Sequence, residues 1–122
     1  MQVEEIPGGY RIRLTESQHW LLASSLSAFL ESVQSSAEVD LMLGSTGGRL
    51  EGILAGAERA EVGSRVMLDV SLEEAHAIHA LLTCTPSLFA TEETFHVRVG
   101  AYRENLLAVA AGFTSAIRQL NQ

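Results

Sequence analysis

The chain has 122 residues, is 47% hydrophobic and 19% charged, contains two prolines and carries a net charge of −7. That content suits one folded domain and excludes a disordered segment. The acidity argues against nucleic acid, whose phosphates it would repel, and no apolar run reaches the roughly 20 residues of a membrane helix. Cys84 is the only cysteine, so no internal disulfide can form and a reducing compartment is expected.

In chain order, the first residues lack the basic start and apolar centre of a signal peptide, so a cytoplasmic location is expected. Residues 2–6 and Pro7-Gly8-Gly9 predict a hairpin leading into a first strand, 10–14. Thr15 is a candidate N-cap, and Leu22, Leu26, Phe29, Leu30 and Val33 recur at helical spacing behind it. A second alternating segment, 39–43, reads as a strand. After it, 49–60 reads either as a strand returning from a turn at 45–48 or as a helix with Leu50, Ile53, Leu54 and Ala57 on one face.

A seam at 60–64 leads to a third predicted strand, 66–70. Ser71 and Glu74 then form a capping-box pattern that opens a helix with Ala75, Ile78 and Leu82 on one face. Following a loop over 83–93, a fourth alternating segment, 95–99, reads as a strand. Gly100 ends it, and Leu106, Val109, Ala110, Phe113, Ile117 and Leu120 stripe the last helix.

The chain also matches itself. Leu26, Gly44, Leu50, Ala55, Gly56 and Ala60 recur 56 residues later as Leu82, Gly100, Leu106, Ala111, Gly112 and Ala116. The matches fall on the same predicted strand ends and helix faces, which suggests a tandem βαβα duplication with repeats at about 9–61 and 65–117. Alignment of 49–60 with the helical 105–116 favours helix there. The expected fold is α/β or α+β. It is a single-domain, two-layer sandwich of about four strands, with about four helices on one face.

Strands buried on both faces would read as continuous apolar runs, and these do not. Tyr10, Ile12, Leu14, Val39, Leu41, Leu43, Val66, Leu68, Val70, Phe95, Val97 and Val99 are expected to face the helices. The opposite face, with Arg11, Arg13, Asp40, Met42, Met67, Asp69, His96 and Arg98, is the expected partner-contact surface. Trp20 and Tyr102 are further candidate anchors.

Catalytic signals are sparse. Glu73, His76 and His79 share a helix at ligand-like spacing, but the aligned Ser17, Trp20 and Ala23 supply no matching set. His96 has no nucleophile or carboxylate tied to it, Cys84 has no second cysteine, and the glycines at 44–48 lack a phosphate loop's lysine. No catalytic residue, metal ligand or cofactor is assigned.

Two segments resemble small immunity proteins of bacterial toxin systems. One is Leu14-Thr15-Glu16 opening a leucine-rich helix; the other is FHVRVGAYRE at 95–104, a strand, a glycine, then Arg-Glu opening a helix. The resemblance covers less than half of the chain. It implies a protein that neutralises a toxin by binding it, and transfers no catalytic residue. The expected function is therefore a non-enzymatic, acidic protein-binding module, with a basic toxin domain as partner. The alternatives are a homo-oligomeric structural or accessory protein, for instance a homodimer, that self-associates through its open sheet face, and a small enzyme or metal-binding protein around His76 and His79.

Overall fold

The N-terminal hairpin forms where the turn residues predict it. Strand β1 (Gln2–Ile6) pairs antiparallel with β2 (Gly9–Thr15), with Ile6 opposite Gly9. Gly8, at φ 85°, takes the left-handed position that follows proline in a type II turn. The computed structural model describes residues 1–59 and 65–120, so the expected seam at 60–64 lies outside the described residues. Strand β4 (Arg65–Ser71) pairs antiparallel with β2, with Ile12 opposite Leu68, and a two-residue β3 (Glu58–Arg59) pairs with β4. The sheet order is β1-β2-β4-β3.

Both central strands follow their alternation. Ile12 and Leu14 of β2, and Val66, Leu68 and Val70 of β4, are buried; burial is worth about 1.5–3 kcal/mol for each such side chain. Helix α1 (Glu16–Ser32) leaves β2 directly, and α4 (Leu72–Cys84) leaves β4 directly. Each starts in a full capping box. Thr15 Oγ1 accepts from Gln18 N and Gln18 Oε1 from Thr15 N; Ser71 and Glu74 repeat the exchange. Phe29, Leu22, Ile78, Leu81 and Leu82 of these helices fill the core against the sheet.

The predicted strands 39–43 and 95–99 are helices, α2 (Ser36–Leu43) and α5 (Glu92–Val99). Positions i and i+4 share a face in a helix as well as in a strand, so Val39 with Leu43, and Phe95 with Val99, are buried under either reading. The middle residues separate the two. Leu41 is 85% exposed and Val97 75%, where a strand would bury both. Side-chain caps fix the helical choice: Ser35 Oγ accepts from Glu38 N, Thr91 Oγ1 accepts from Thr94 N, and Gly44 and Gly100 end the helices at φ 87° and 84°.

A 3₁₀ turn (Gly47–Arg49) leads into α3 (Leu50–Ala55), so the helical reading of 49–60 holds as far as Ala55. The chain then turns at Gly56 into β3. Helix α6 (Arg103–Leu120) closes the fold with Leu106, Ala110 and Phe113 buried. The protein is thus α+β and mostly helical: the described residues form six helices and an antiparallel sheet of three strands plus a short edge strand. The expected βαβα order is corrected to β-β-α-α-α, which occurs twice in succession.

The bounds of α2 and α5 differ by 56 residues at both ends, as do Gly44 and Gly100. Ile12 and Leu68, also 56 apart, pair at the middle of the β2–β4 ladder, where a local two-fold axis would pass. Packing crosses between the halves, because α1 lies against α5 while α4 lies against α2.

Candidate protein-interaction surface

The eight residues expected on one open sheet face occupy three places. Arg11, Arg13, Met67 and Asp69 do lie on the outer face of the sheet, because each alternates with a buried neighbour. Asp40 and Met42 belong to α2, and His96 and Arg98 to α5, as the helical correction requires.

On the sheet, the register sets Glu4, Arg11 and Asp69 in one row across three strands. Arg11 holds Asp69 with two hydrogen bonds, Nε to Oδ1 at 2.8 Å and Nη2 to Oδ2 at 3.0 Å, while Glu4 accepts from Arg13 at 3.1 Å. The Arg11 hydrogen bonds hold the Asp69 carboxyl below its ordinary 3.8. A lowered folded-state value means the pair stabilises the fold above 3.8, and that contribution is lost as pH falls through the folded-state value. Asp69 is about half exposed, so screening keeps it below about 1 kcal/mol. Urea titrations of wild type and Asp69→Asn should differ by that small amount at neutral pH and converge under acid.

The four histidines have separate surroundings. His19 Nε2 donates to Leu54 O at 2.9 Å, and His79 Nε2 lies 3.2 Å from Thr114 Oγ1. His96 stacks on Tyr102, while His76 flanks Leu72 and Gly44. His76 and His79 gain no third ligand: among the described residues no group of three His, Cys, Asp or Glu is placed to hold a metal ion. Cys84 is half-buried, with its Sγ 3.8 Å from Met42 O.

The structure brings together two residues the sequence named only separately. Trp20, on α1, lies against Gly100 at the end of α5; a Cβ at Gly100 would come within 2.8 Å of Trp20 Cη2. Tyr102 stands two residues beyond Gly100, its ring stacked on His96 at 4.4 Å and 12°. Trp20 is 53% and Tyr102 50% exposed, so one large ring covers Gly100 and a second stands on the surface over His96.

The backbone beneath them is well held. Ser24 Oγ donates to Val99 O, one of the carbonyls left over at the end of α5, and Arg98 pairs with Glu31 across to α1. Arg103 donates from its backbone to Glu92 Oε1 at 3.0 Å and from its guanidinium to Phe89 O, and it lies 5.8 Å from the buried Phe95 ring. A hollow of about 490 Å³ opens beside Trp20, with Ala101 and Asn105 on its far wall. On the other flank of α1 a second hollow, about 500 Å³, runs between α1 and α3.

This arrangement suits contact more than chemistry. It offers rigid aromatic area at little conformational cost, with Glu16 beside Trp20, while His96 is stacked on Tyr102. No helix among the described residues is long and apolar enough to cross a membrane. Comparison of the chain with protein-family models, curated proteins and solved structures finds no match.

Proposed function

We propose that this chain is a non-enzymatic protein-binding module of the immunity type, acting in the cytoplasm to neutralise a basic toxin domain by covering it. The observation that carries the reading is the half-exposed Trp20 seated on Gly100, with the half-exposed Tyr102 two residues further along the chain. Tryptophan and tyrosine are the residues most enriched at binding hot spots, and a partner would cover area that water now wets. The net charge of −7 would speed encounter with a basic surface. The scaffold reads as a tandem duplication of a ββααα unit, supported by the shared bounds of α2 and α5 and by the Ile12–Leu68 pair.

Self-association through the open sheet face draws less support. Three strands about 4.8 Å apart and about 20 Å long offer roughly 300 Å². A stable interface needs about 800 Å² from each partner. The charges on that face also already satisfy one another through Arg11, Arg13, Glu4 and Asp69.

The test is co-expression with the toxin domain encoded beside the gene. The wild-type chain should restore growth and form a complex. Trp20→Ala with Tyr102→Ala should weaken that complex at least about 30-fold, two lost hot spots costing about 2 kcal/mol or more together. A complex of unchanged affinity, with the variant folded by circular dichroism, would remove the aromatic pair from the interface. Failure of the wild-type chain to bind would remove the toxin reading.

A further inference from the structure

We infer that the hollow between α4 and α6 binds a small neutral aromatic alcohol, a single ring carrying one hydroxyl. The site is separate from the Trp20 seat and does not depend on the toxin reading.

Leu72, His76 and His79 of α4, at i, i+4 and i+7, line one wall, and Phe113, Thr114 and Ile117 of α6 line the other. The space measures about 260 Å³. A dry cavity of roughly 150 Å³ takes benzene and pockets for drug-sized ligands begin near about 300 Å³, so one substituted ring fits. Leu72 is 61% exposed and Ile117 half-buried, so a ring lying between them removes wetted apolar surface from water.

The polar groups choose the substituent on that ring. Thr114 Oγ1 donates to Ala110 O at 3.1 Å, and a hydroxyl has only one hydrogen to give. His79 Nε2, 3.2 Å from the same oxygen, is therefore the donor to Thr114. In that tautomer the ring's lone pair is on Nδ1, and no hydrogen bond reaches Nδ1 among the described residues. The unused group of the site is thus an acceptor, and its ligand must bring a hydrogen. Phe113 stands beside His79 with ring centroids 6.4 Å apart and planes at 51°, a tilted pair that leaves a corner for a third ring.

A hydroxyl meets that demand better than other polar groups do. A carboxylate has no hydrogen for Nδ1 and would approach a chain of net charge −7. A metal ion would take Nδ1 together with His76, but no third His, Cys, Asp or Glu joins them among the described residues. The ring supplies apolar area, and the hydroxyl fixes its orientation.

The probe is para-cresol added to the ¹⁵N-labelled full chain. Toluene is the same ring without the hydroxyl, and para-toluate the same ring with a carboxylate in its place. Amide shift changes should fall on Leu72, His79, Thr114 and Ile117. Para-cresol should bind at least about threefold tighter than toluene, the share of one hydrogen bond, and para-toluate more weakly than either. Imidazole ¹⁵N spectra should place the hydrogen of His79 on Nε2, and para-cresol, but not toluene, should move the Nδ1 resonance. His79→Phe keeps a ring and removes the acceptor, so it should bind both probes equally. Thr114→Val, which releases Nε2, should lessen the preference and serves where His79→Phe does not fold. Trp20→Ala should change nothing. Equal binding of toluene and para-cresol by the wild-type chain, tighter binding of para-toluate, or a preference that survives His79→Phe would each overturn the proposal. So would shifts at His76 and His79 with zinc alone and none with para-cresol.

Discussion

Gly9→Ala is expected to destabilise the fold by about 3 kcal/mol, at the upper end of what overpacking costs. Gly9 opens β2 opposite Ser71, and there the two backbones meet so closely that a Cβ would stand 1.9 Å from Val70 O and 2.9 Å from Ser71 Cα. Neither neighbour is the end of a flexible side chain, so the methyl group must push one strand away from the other. The damage would reach beyond one ladder pair, because Ser71 is the N-cap of α4 and shares its capping box with Glu74. Gly8→Ala is the internal control. Gly8 has a left-handed φ of 85° but nothing within 4 Å of its Cβ position, so it should lose only the conformational term, about 1–2 kcal/mol. Urea unfolding with matched m-values measures both. Equal losses in the two variants would contradict the close pairing of β2 with β4. For a domain of this size 3 kcal/mol is a large share of a typical total of about 5–15 kcal/mol.

What the sequence revealed of the fold follows how local each signal is. The hairpin, β2, β4 and the starts of α1 and α4 were legible because alternation, turn residues and caps agree within a few positions. At 39–43 and 95–99 the alternation was genuine and misleading. Five residues are too few to separate a period of 2 from one of 3.6, since both bury the first and the fifth. The signal that does separate them is punctuation. Ser35 and Thr91 each stand nine residues before a glycine, a spacing that holds two helical turns between an N-cap and a left-handed C-cap.

The expected repeat carried a further expectation past its range. Aligning 49–60 with 105–116 predicts helix as far as 60, whereas α3 stops at Ala55 and Glu58–Arg59 pair with β4 as an edge strand. The proposed partner surface was legible residue by residue and not as a place. Trp20 and Tyr102 were recognisable as candidate anchors from their type alone, but the seat of Trp20 on Gly100 depends on a contact between segments about 80 residues apart. Nothing local encodes that. Of the eight residues expected on one sheet face, Arg11, Arg13, Met67 and Asp69 lie there, and Asp40, Met42, His96 and Arg98 do not, because the expectation assumed that all alternating segments belong to one sheet.

Gly100→Ala is expected to cost about 2–4 kcal/mol, and a double-mutant cycle with Trp20→Ala divides that cost into its causes. Gly100, at φ 84° and ψ 13°, is in the left-handed helical region, where alanine costs about 1–2 kcal/mol, whereas Gly44, at φ 87° and ψ 172°, is in a region essentially reserved for glycine and carries a larger conformational cost. They also differ in what lies above. Over Gly44 the nearest atom to an added Cβ is His76 Cδ2 at 4.0 Å, an ordinary contact. Over Gly100 it is Trp20 Cη2 at 2.8 Å, with Cζ2 at 3.3 Å. The excess at Gly100, about 1–2 kcal/mol, is the energy of displacing the indole. Placing Gly100→Ala in a Trp20→Ala background should therefore reduce its cost to the conformational term alone, about 1–2 kcal/mol, a coupling that a double-mutant cycle reads directly. If the excess persists without the indole, the Trp20–Gly100 seat is not what constrains this position. The same displacement would lift Trp20 off its seat on Gly100. Gly100→Ala should then weaken partner binding even at temperatures where the variant is fully folded, while Gly44→Ala should leave binding unchanged. Stability and recognition meet at one glycine because the ring that a partner would cover is also the ring that seals the end of α5.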